Sequence, residues 1–152
     1  DAAFDAMLAT RLPLDILVVE DNPVNQFVIR RLLQRFGYTA ITAESGPKCL
    51  ELCTSHHFDL IFMDMQMPGM DGLETTRRLR AMLKARNSGV DGPAIVALTA
   101  NVLPEDKAAC LEAGMDDFLS KPVQVTPLRQ LLEQVSVRLV GAAMLGKNQT
   151  GR

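Results

Sequence analysis

The chain has 152 residues, 47% of them hydrophobic and 22% charged, which is the composition of an ordinary globular protein and most simply of one domain. A net charge of −2 gives no general attraction to nucleic acid or anionic lipid, and no apolar run approaches the roughly eighteen residues of a membrane span. The cysteines Cys49, Cys53 and Cys110 are too few, and odd in number, for a disulfide framework, so a reducing, cytoplasmic setting is expected.

No charged-then-apolar leader opens the sequence, and its start at Asp1 rather than Met is expected of a segment of something longer. Residues 1–13 are Ala-rich, with Phe4, Met7 and Leu8 at helical spacing before Leu12-Pro13; a linker, helical or frayed, is expected there. From Leu14 the pattern sharpens. Ile16 to Val19 form an apolar strand that ends in Glu20-Asp21. Asn22 is placed to cap a helix opened by Pro23, whose missing N–H would be unsatisfied there anyway. Val24, Phe27, Val28, Leu32 and Phe36 recur at helical spacing and are expected to face the core until Gly37 stops the helix.

Tyr38 to Ala43 reads as a second strand, and Ser45-Gly46-Pro47 opens a helix carrying Leu50 and Cys53 inward. Cys49 and Cys53 lie four apart with His56 and His57 nearby. That spacing matches no established zinc pattern, and a buried thiol most simply acts as a small hydrophobe. Leu60 to Met63 then run straight into Asp64, with the turn formers Pro68, Gly69 and Gly72 close behind. A continuous apolar run followed by breakers suits a central parallel strand covered on both faces.

Asp71 and Glu74 form a D-x-x-E start signal for a third helix with Leu79, Met82 and Leu83 on one side. Its Arg77, Arg78, Arg80, Lys84 and Arg86 read as a solvated face rather than a nucleic-acid patch. Residues 87–93 form a loop, Ala94 to Leu98 a fourth strand ending at Thr99, and Pro104 to Gly114 a fourth helix with its stop. Asp117 to Leu119 is a short fifth strand leading into Ser120-Lys121-Pro122. Thr126 and Pro127 open the last helix, with Leu128, Leu131, Leu132, Val135 and Leu139 as core positions, and 141–152 reads as a linker or disordered tail. Asn148-Gln149-Thr150 matches a glycosylation acceptor, which has no meaning without a secretory route.

Five strands alternating with five helices require right-handed crossovers and a parallel sheet covered on both faces. The expected fold is therefore α/β and doubly wound, flavodoxin-like, with strand order 2-1-3-4-5. One domain is expected over 14–140. Ligands in such sheets sit beyond the carboxyl ends of the strands, where this order collects Glu20, Asp21, Asp64, Thr99 and Lys121. Any one of these alone is a turn former or a solvated charge; together they are not readily explained that way. Two carboxylates about 5 Å apart at an effective dielectric of about 20 repel by about 3 kcal/mol, so a cation or added protons must offset the cluster. Lys121 supplies one positive charge, and an oxygen-rich site suits Mg²⁺. Asp21 and Asp64 are the expected direct ligands, with Glu20 as a second or water-mediated one and the Gln66 backbone carbonyl as a further oxygen. Such a site is equipped for phosphoryl transfer, with Asp64 as nucleophile and Thr99 and Lys121 meeting the phosphoryl oxygens.

Glu20-Asp21, Asp64 followed by Met67-Pro68-Gly69-Met70-Asp71-Gly72, then Thr99-Ala100 and Lys121-Pro122 come in a set order over about 14–140. In these residues the chain resembles the receiver domain of two-component response regulators. The resemblance implies phosphorylation of Asp64, Mg²⁺ with Mn²⁺ able to substitute, and a cis peptide between Lys121 and Pro122. It also implies an aromatic switch at Phe118 coupled to Thr99, where tyrosine is common, and control of water access by Gln66 and Asn101. VEDNPVNQ at 19–26 and ALTANVLPEDKAACLEAGMDDFLSKPV at 97–123 are similar to receivers of hybrid sensor histidine kinases. The implied partners are a histidine kinase dimerisation and phosphotransfer domain and a histidine phosphotransfer protein. They would dock on the first helix and the loops around Asp64, and phosphorylation would shift the surface of the fourth helix, fifth strand and fifth helix. No nucleic acid or direct membrane contact is expected, and the cytoplasmic setting includes the cytoplasmic part of a membrane-bound sensor kinase.

Other readings compete. A stand-alone single-domain response regulator would carry the same residues. A phosphohydrolase working through an aspartyl phosphate would place a second acid two residues past the nucleophile, where this chain has Gln66. A flavodoxin-like cofactor binder would need a phosphate-cradling loop where Glu20-Asp21 stand. A degenerate receiver used only for docking would lack the complete acidic set.

Overall fold

The computed structural model describes residues 5–86, 92–100 and 103–150, with side chains up to 139; Asn101 and most of the loop at 87–93 lie outside them. The elements in order are α1 (Leu8–Arg11), β1 (Ile16–Val19), α2 (Pro23–Arg35), β2 (Ile41–Ala43), α3 (Gly46–Ser55), β3 (Leu60–Asp64), α4 (Gly72–Arg86), β4 (Ala94–Thr99), α5 (Pro104–Ala113), β5 (Asp117–Ser120) and α6 (Val125–Thr150). The strands form one parallel sheet in the order β2-β1-β3-β4-β5, as the alternation of strands and helices predicts. No helix among the described residues is long and apolar enough to cross a membrane.

Every residue of β1 and β3 is buried, because helices cover both faces and alternate side chains enter two cores. Ile16, Val18, Leu60, Phe62, Val96 and Leu98 pack with Ile29 and Leu33 of α2 and with Leu128, Leu131, Leu132 and Val135 of α6. Leu17, Val19, Ile61, Met63, Ile95 and Ala97 face Cys49 and Cys53 of α3, Leu79 of α4 and Cys110 of α5. Full burial of each large apolar side chain is worth about 1.5–3 kcal/mol, so the two layers fix the sheet and with it the strand ends.

The structure departs from the sequence reading in five places. The segment read as a linker, helical or frayed, forms a sixth helix, α1, that is packed onto the domain: Leu8 is buried in the core, the Ala9 N–H donates to the Phe36 carbonyl at 3.0 Å, and Tyr38 Oη donates to the Leu12 carbonyl at 2.6 Å. Counting α1 makes the predicted fourth and fifth helices α5 and α6. β2 is shorter than expected: the Tyr38 N–H donates to the Leu33 carbonyl at the end of α2 at 3.0 Å rather than to a neighbouring strand.

On α2 the inward residues are Ile29 and Leu33, whereas Val24, Phe27 and Val28 are exposed. The helix carries two apolar stripes roughly 140° apart, and periodicity cannot say which one meets the sheet. α6 begins at Val125, with Pro127 still inside the first turn where its missing N–H costs nothing, and it runs on to Thr150. Finally, the basic run of α4 is only partly a solvated face. Arg80 donates to the Gly114 carbonyl and to Asp116, and Arg86 donates to the Cys53 and Thr54 carbonyls at the end of α3.

Candidate active site at the strand ends

Sheet register brings the acids together. Val19 pairs with Met63 and Asp64 with Leu98, so Glu20 and Asp64 leave neighbouring strands at one level, and Thr99 follows one residue later on β4. β5 pairs Ser120 with Thr99, and the Lys121 N–H donates to the Thr99 carbonyl at 2.9 Å. The Lys121–Pro122 peptide is cis. Beyond β3 the chain must turn sharply: Gly69 has φ +78°, a left-handed conformation that glycine adopts without strain, and a Cβ on Gly72 would collide with the Asp64 carbonyl oxygen. The Asp71 carboxylate then caps α4 by accepting from the Glu74 N–H at 2.9 Å.

Glu20 and Asp64 are buried while Asp21 is exposed, and one carboxylate oxygen from each lies within 4.8 Å of the others. Lys121 Nζ stands 2.7 Å from Asp64 Oδ1 and 3.2 Å from Glu20 Oε2. The Gln66 N–H donates to Asp64 Oδ1 at 3.1 Å, while the Gln66 side chain is exposed. Burial, with the Asp64 charge adding to it, pushes the Glu20 carboxyl above the usual carboxylate range against the pull of Lys121. For Lys121, burial acts to lower the ammonium, but the Asp64 and Glu20 carboxylates outweigh it and the net shift is upward.

Glu20 Oε2 is fully buried and makes no hydrogen bond among the described residues. Lys121 Nζ, 3.2 Å away, offsets part of its charge, but three acids share that ammonium, and a buried anionic group is costly unless fully compensated. A hard divalent cation taking one oxygen from each acid fits this donor set and would offset the remainder. Thr99 is half-buried at the rim of the same cleft. Phe118 lies on β5 opposite Ala97, half-buried, with Lys107 Nζ 4.7 Å from its ring centroid.

The structure thus gathers Glu20, Asp21, Asp64 and Lys121 closely, with Thr99 beside them. Sequence reasoning gave no role to Asn25 and Gln26, whose side-chain amides reach back to Glu20: Asn25 Nδ2 to Oε1 at 3.4 Å and Gln26 Nε2 to the carbonyl at 2.5 Å. Two amides in the first turn of a helix that follows an acid were the available signal.

The response regulator receiver domain family matches residues 16–133. The chain is 42% identical over 133 residues to histidine protein kinase 1 of Candida albicans, which covers 84% of this chain and 5% of that protein. Across the first curated relatives it spans 5% to 14% of their own length. The receiver domain of the Pseudomonas aeruginosa sensor histidine kinase PA1611, solved with magnesium coordinated in its active-site cleft, superposes with a TM-score of 0.70 at 38% identity, covering 81% of this chain and 97% of that one. The Ssk1 receiver domain of Saccharomyces cerevisiae, co-crystallised with the histidine phosphotransfer protein Ypd1, gives 0.75 at 29% identity over 82% of this chain and 89% of its own. With the acids, the lysine and the fold in agreement, this chain belongs to the response regulator receiver domain family.

Proposed function

We propose that this domain is a phosphoacceptor in a two-component phosphorelay and that Asp64 is its phosphorylation site. The single observation that carries the reading is the contact of Lys121 with Asp64 inside a cluster of three acids. An Asp64 carboxylate oxygen attacks the phosphorus of a phosphohistidine; the P–N bond breaks as the P–O bond forms, and the imidazole leaves to take a proton from solvent. Asp64 Oδ1 accepts from Lys121 Nζ and the Gln66 N–H, which orients the carboxylate for in-line attack. Lys121 and the Thr99 hydroxyl receive phosphoryl oxygens. Mg²⁺, or Mn²⁺ in its place, held by Asp21, Asp64, Glu20 and the Gln66 carbonyl, supplies charge neutralisation on those oxygens when bound.

Magnesium in the cleft of the Pseudomonas receiver supports the ion, and Ypd1 beside the yeast receiver supports a histidine phosphotransfer protein as the onward partner. The donor would be the dimerisation and phosphotransfer domain of a histidine kinase, and the parent chain a hybrid sensor kinase working on the cytoplasmic side of a membrane. Phe118 would turn inward as Thr99 moves to the phosphoryl group, altering the face formed by α5, β5 and α6. Gln66 and Asn101 would govern water access to the acyl phosphate. The domain accepts a phosphoryl group and passes it on, rather than acting as a phosphohydrolase, since position 66, where such an enzyme carries a second acid, is a glutamine.

The test is incubation with acetyl phosphate and Mg²⁺ followed by intact mass. Wild type gains one phosphoryl group and Asp64→Asn gains none. An unchanged wild-type mass, repeated with a cognate histidine kinase, would sink the reading.

A further inference from the structure

Glu20 is held through its main chain and at both carboxylate oxygens, but by different partners at each oxygen. Its N–H donates to the Ala43 carbonyl at 3.0 Å, and its carbonyl accepts from Gln26 Nε2 at 2.5 Å. Its Oε1 accepts from the Asn22 N–H at 3.2 Å and from Asn25 Nδ2 at 3.4 Å. Oε2, also buried, has Lys121 Nζ at 3.2 Å as its counter-charge and faces the side of Asp64, with no further donor on it among the described residues.

The opening turn of α2 therefore holds the carboxylate asymmetrically. Asn22 itself is fixed as the cap, since its Oδ1 accepts from the N–H groups of Val24 and Asn25 at 2.8 and 3.1 Å. Its main chain supplies one donor to Oε1 that no side-chain change removes, while the Asn25 amide supplies the second.

We infer that Asn25 is a positioning residue for the cation: by occupying Oε1 it makes Glu20 a one-oxygen ligand that presents Oε2 alone. This rests on the cation reading given above and adds a selectivity to it. Mg²⁺ demands near-octahedral single-oxygen ligands at short distance, whereas the larger Ca²⁺ accepts a carboxylate through both oxygens. A Glu20 pinned at Oε1 suits Mg²⁺, and a Glu20 free to turn suits Ca²⁺. Groups that orient a metal ligand from behind typically change affinity by about 10–100-fold. Asn25 is exposed on its outer side and outside both cores, so its truncation leaves the packing intact.

Calorimetric titration of this chain with MgCl₂ and, separately, CaCl₂ tests the inference on wild type, Asn25→Ala and Asp21→Asn. Wild type binds Mg²⁺ saturably and Asp21→Asn does not. Asn25→Ala binds Mg²⁺ about tenfold more weakly while Ca²⁺ affinity falls much less, so the ratio of the two constants moves toward Ca²⁺. Equal losses for both ions, or no change in either, overturn the positioning role while leaving the cation site standing. Absence of saturable Mg²⁺ binding in wild type overturns the site reading and this inference with it.

Discussion

Lys121, just past β5, reaches across the end of β4 to place Nζ 2.7 Å from Asp64 Oδ1 at the end of β3. Without a metal it is the cation in direct contact with two buried acids. Replacing it by Met should therefore act twice. Acetyl phosphate labelling of Asp64 should slow by about a hundredfold, the usual scale for removing one donor from developing charge. Stability measured in EDTA should fall by about 2 kcal/mol. That is less than for a fully buried pair, because a quarter of the Lys121 side chain, 26%, stays in water. Mg²⁺ should restore part of this stability but not the labelling rate. Labelling at the wild-type rate would remove Lys121 from the chemistry.

Glu20 makes the opposite contribution. Burial and the Asp64 charge raise its carboxyl in the fold, so the folded chain holds that proton more tightly than the unfolded chain does. The stabilisation from the neutral form is present below the unfolded value of 4.5 and is lost as pH rises through the raised folded value. Once ionised, the acid thus strains the metal-free fold. Glu20→Gln should melt at a higher temperature than wild type in EDTA, and the order should reverse or close in millimolar Mg²⁺, because the variant has lost a ligand oxygen. Thermal melts with and without the ion read both effects, and a lower melting point in EDTA contradicts the account.

Tyr38 is the chain's single tyrosine and links β2's approach to α1 through the Leu12 carbonyl at 2.6 Å. Burial raises its phenol from 10.0 to about 12. A raised folded value means that the fold favours the neutral phenol, so this stability is complete below pH 10 and is lost as pH climbs through about 12. Two units correspond to about 2–3 kcal/mol at most. Phenolate absorbance should titrate well above that of a model peptide, and Tyr38→Phe should lower neutral-pH stability by about 1 kcal/mol while flattening the alkaline decline. A phenol titrating near 10 would show that α1 does not seal it.

What was legible in the chain followed from burial. β1 and β3 are covered on both faces, so their runs of apolar residues announce strands, and an acid placed at the end of such a run can only emerge at the sheet's carboxyl edge. That is why Glu20, Asp64, Thr99 and Lys121 can be grouped from the amino-acid order alone. What escaped was set by contacts between distant residues. Leu8 looks like any apolar residue of a linker until Phe36 and Tyr38 receive it. Arg80 looks solvated until Asp116 meets it from 36 residues away. On α2 the two apolar stripes carry the same period, and the choice between them lies with the sheet, which takes Ile29 and Leu33. The tie from Asn25 to Glu20 was hidden because a side-chain amide carries no mark of its partner.

That choice of stripe leaves Val24, Phe27 and Val28 on the outside of α2, 68%, 63% and 44% exposed, on the element that follows Asp21. Three apolar side chains on one helix face beside the cleft form a surface suited to another helix laid across it. Truncating a well-packed aromatic at the centre of such an interface commonly costs 1–2 kcal/mol or more. Phe27→Ala should therefore weaken binding to a histidine phosphotransfer protein by about tenfold, and Val28→Asp should do at least as much by placing a charge in the contact. Both residues are exposed and belong to neither core cluster nor the acid cluster, so acetyl phosphate should label both variants at the wild-type rate, while transfer to and from the phosphotransfer protein slows at concentrations below saturation. Transfer kinetics over a range of partner concentrations separate the two effects, because a docking defect raises the half-saturating concentration and leaves the plateau unchanged. If the plateau falls and small-molecule labelling falls with it, α2 acts on the chemistry rather than on docking.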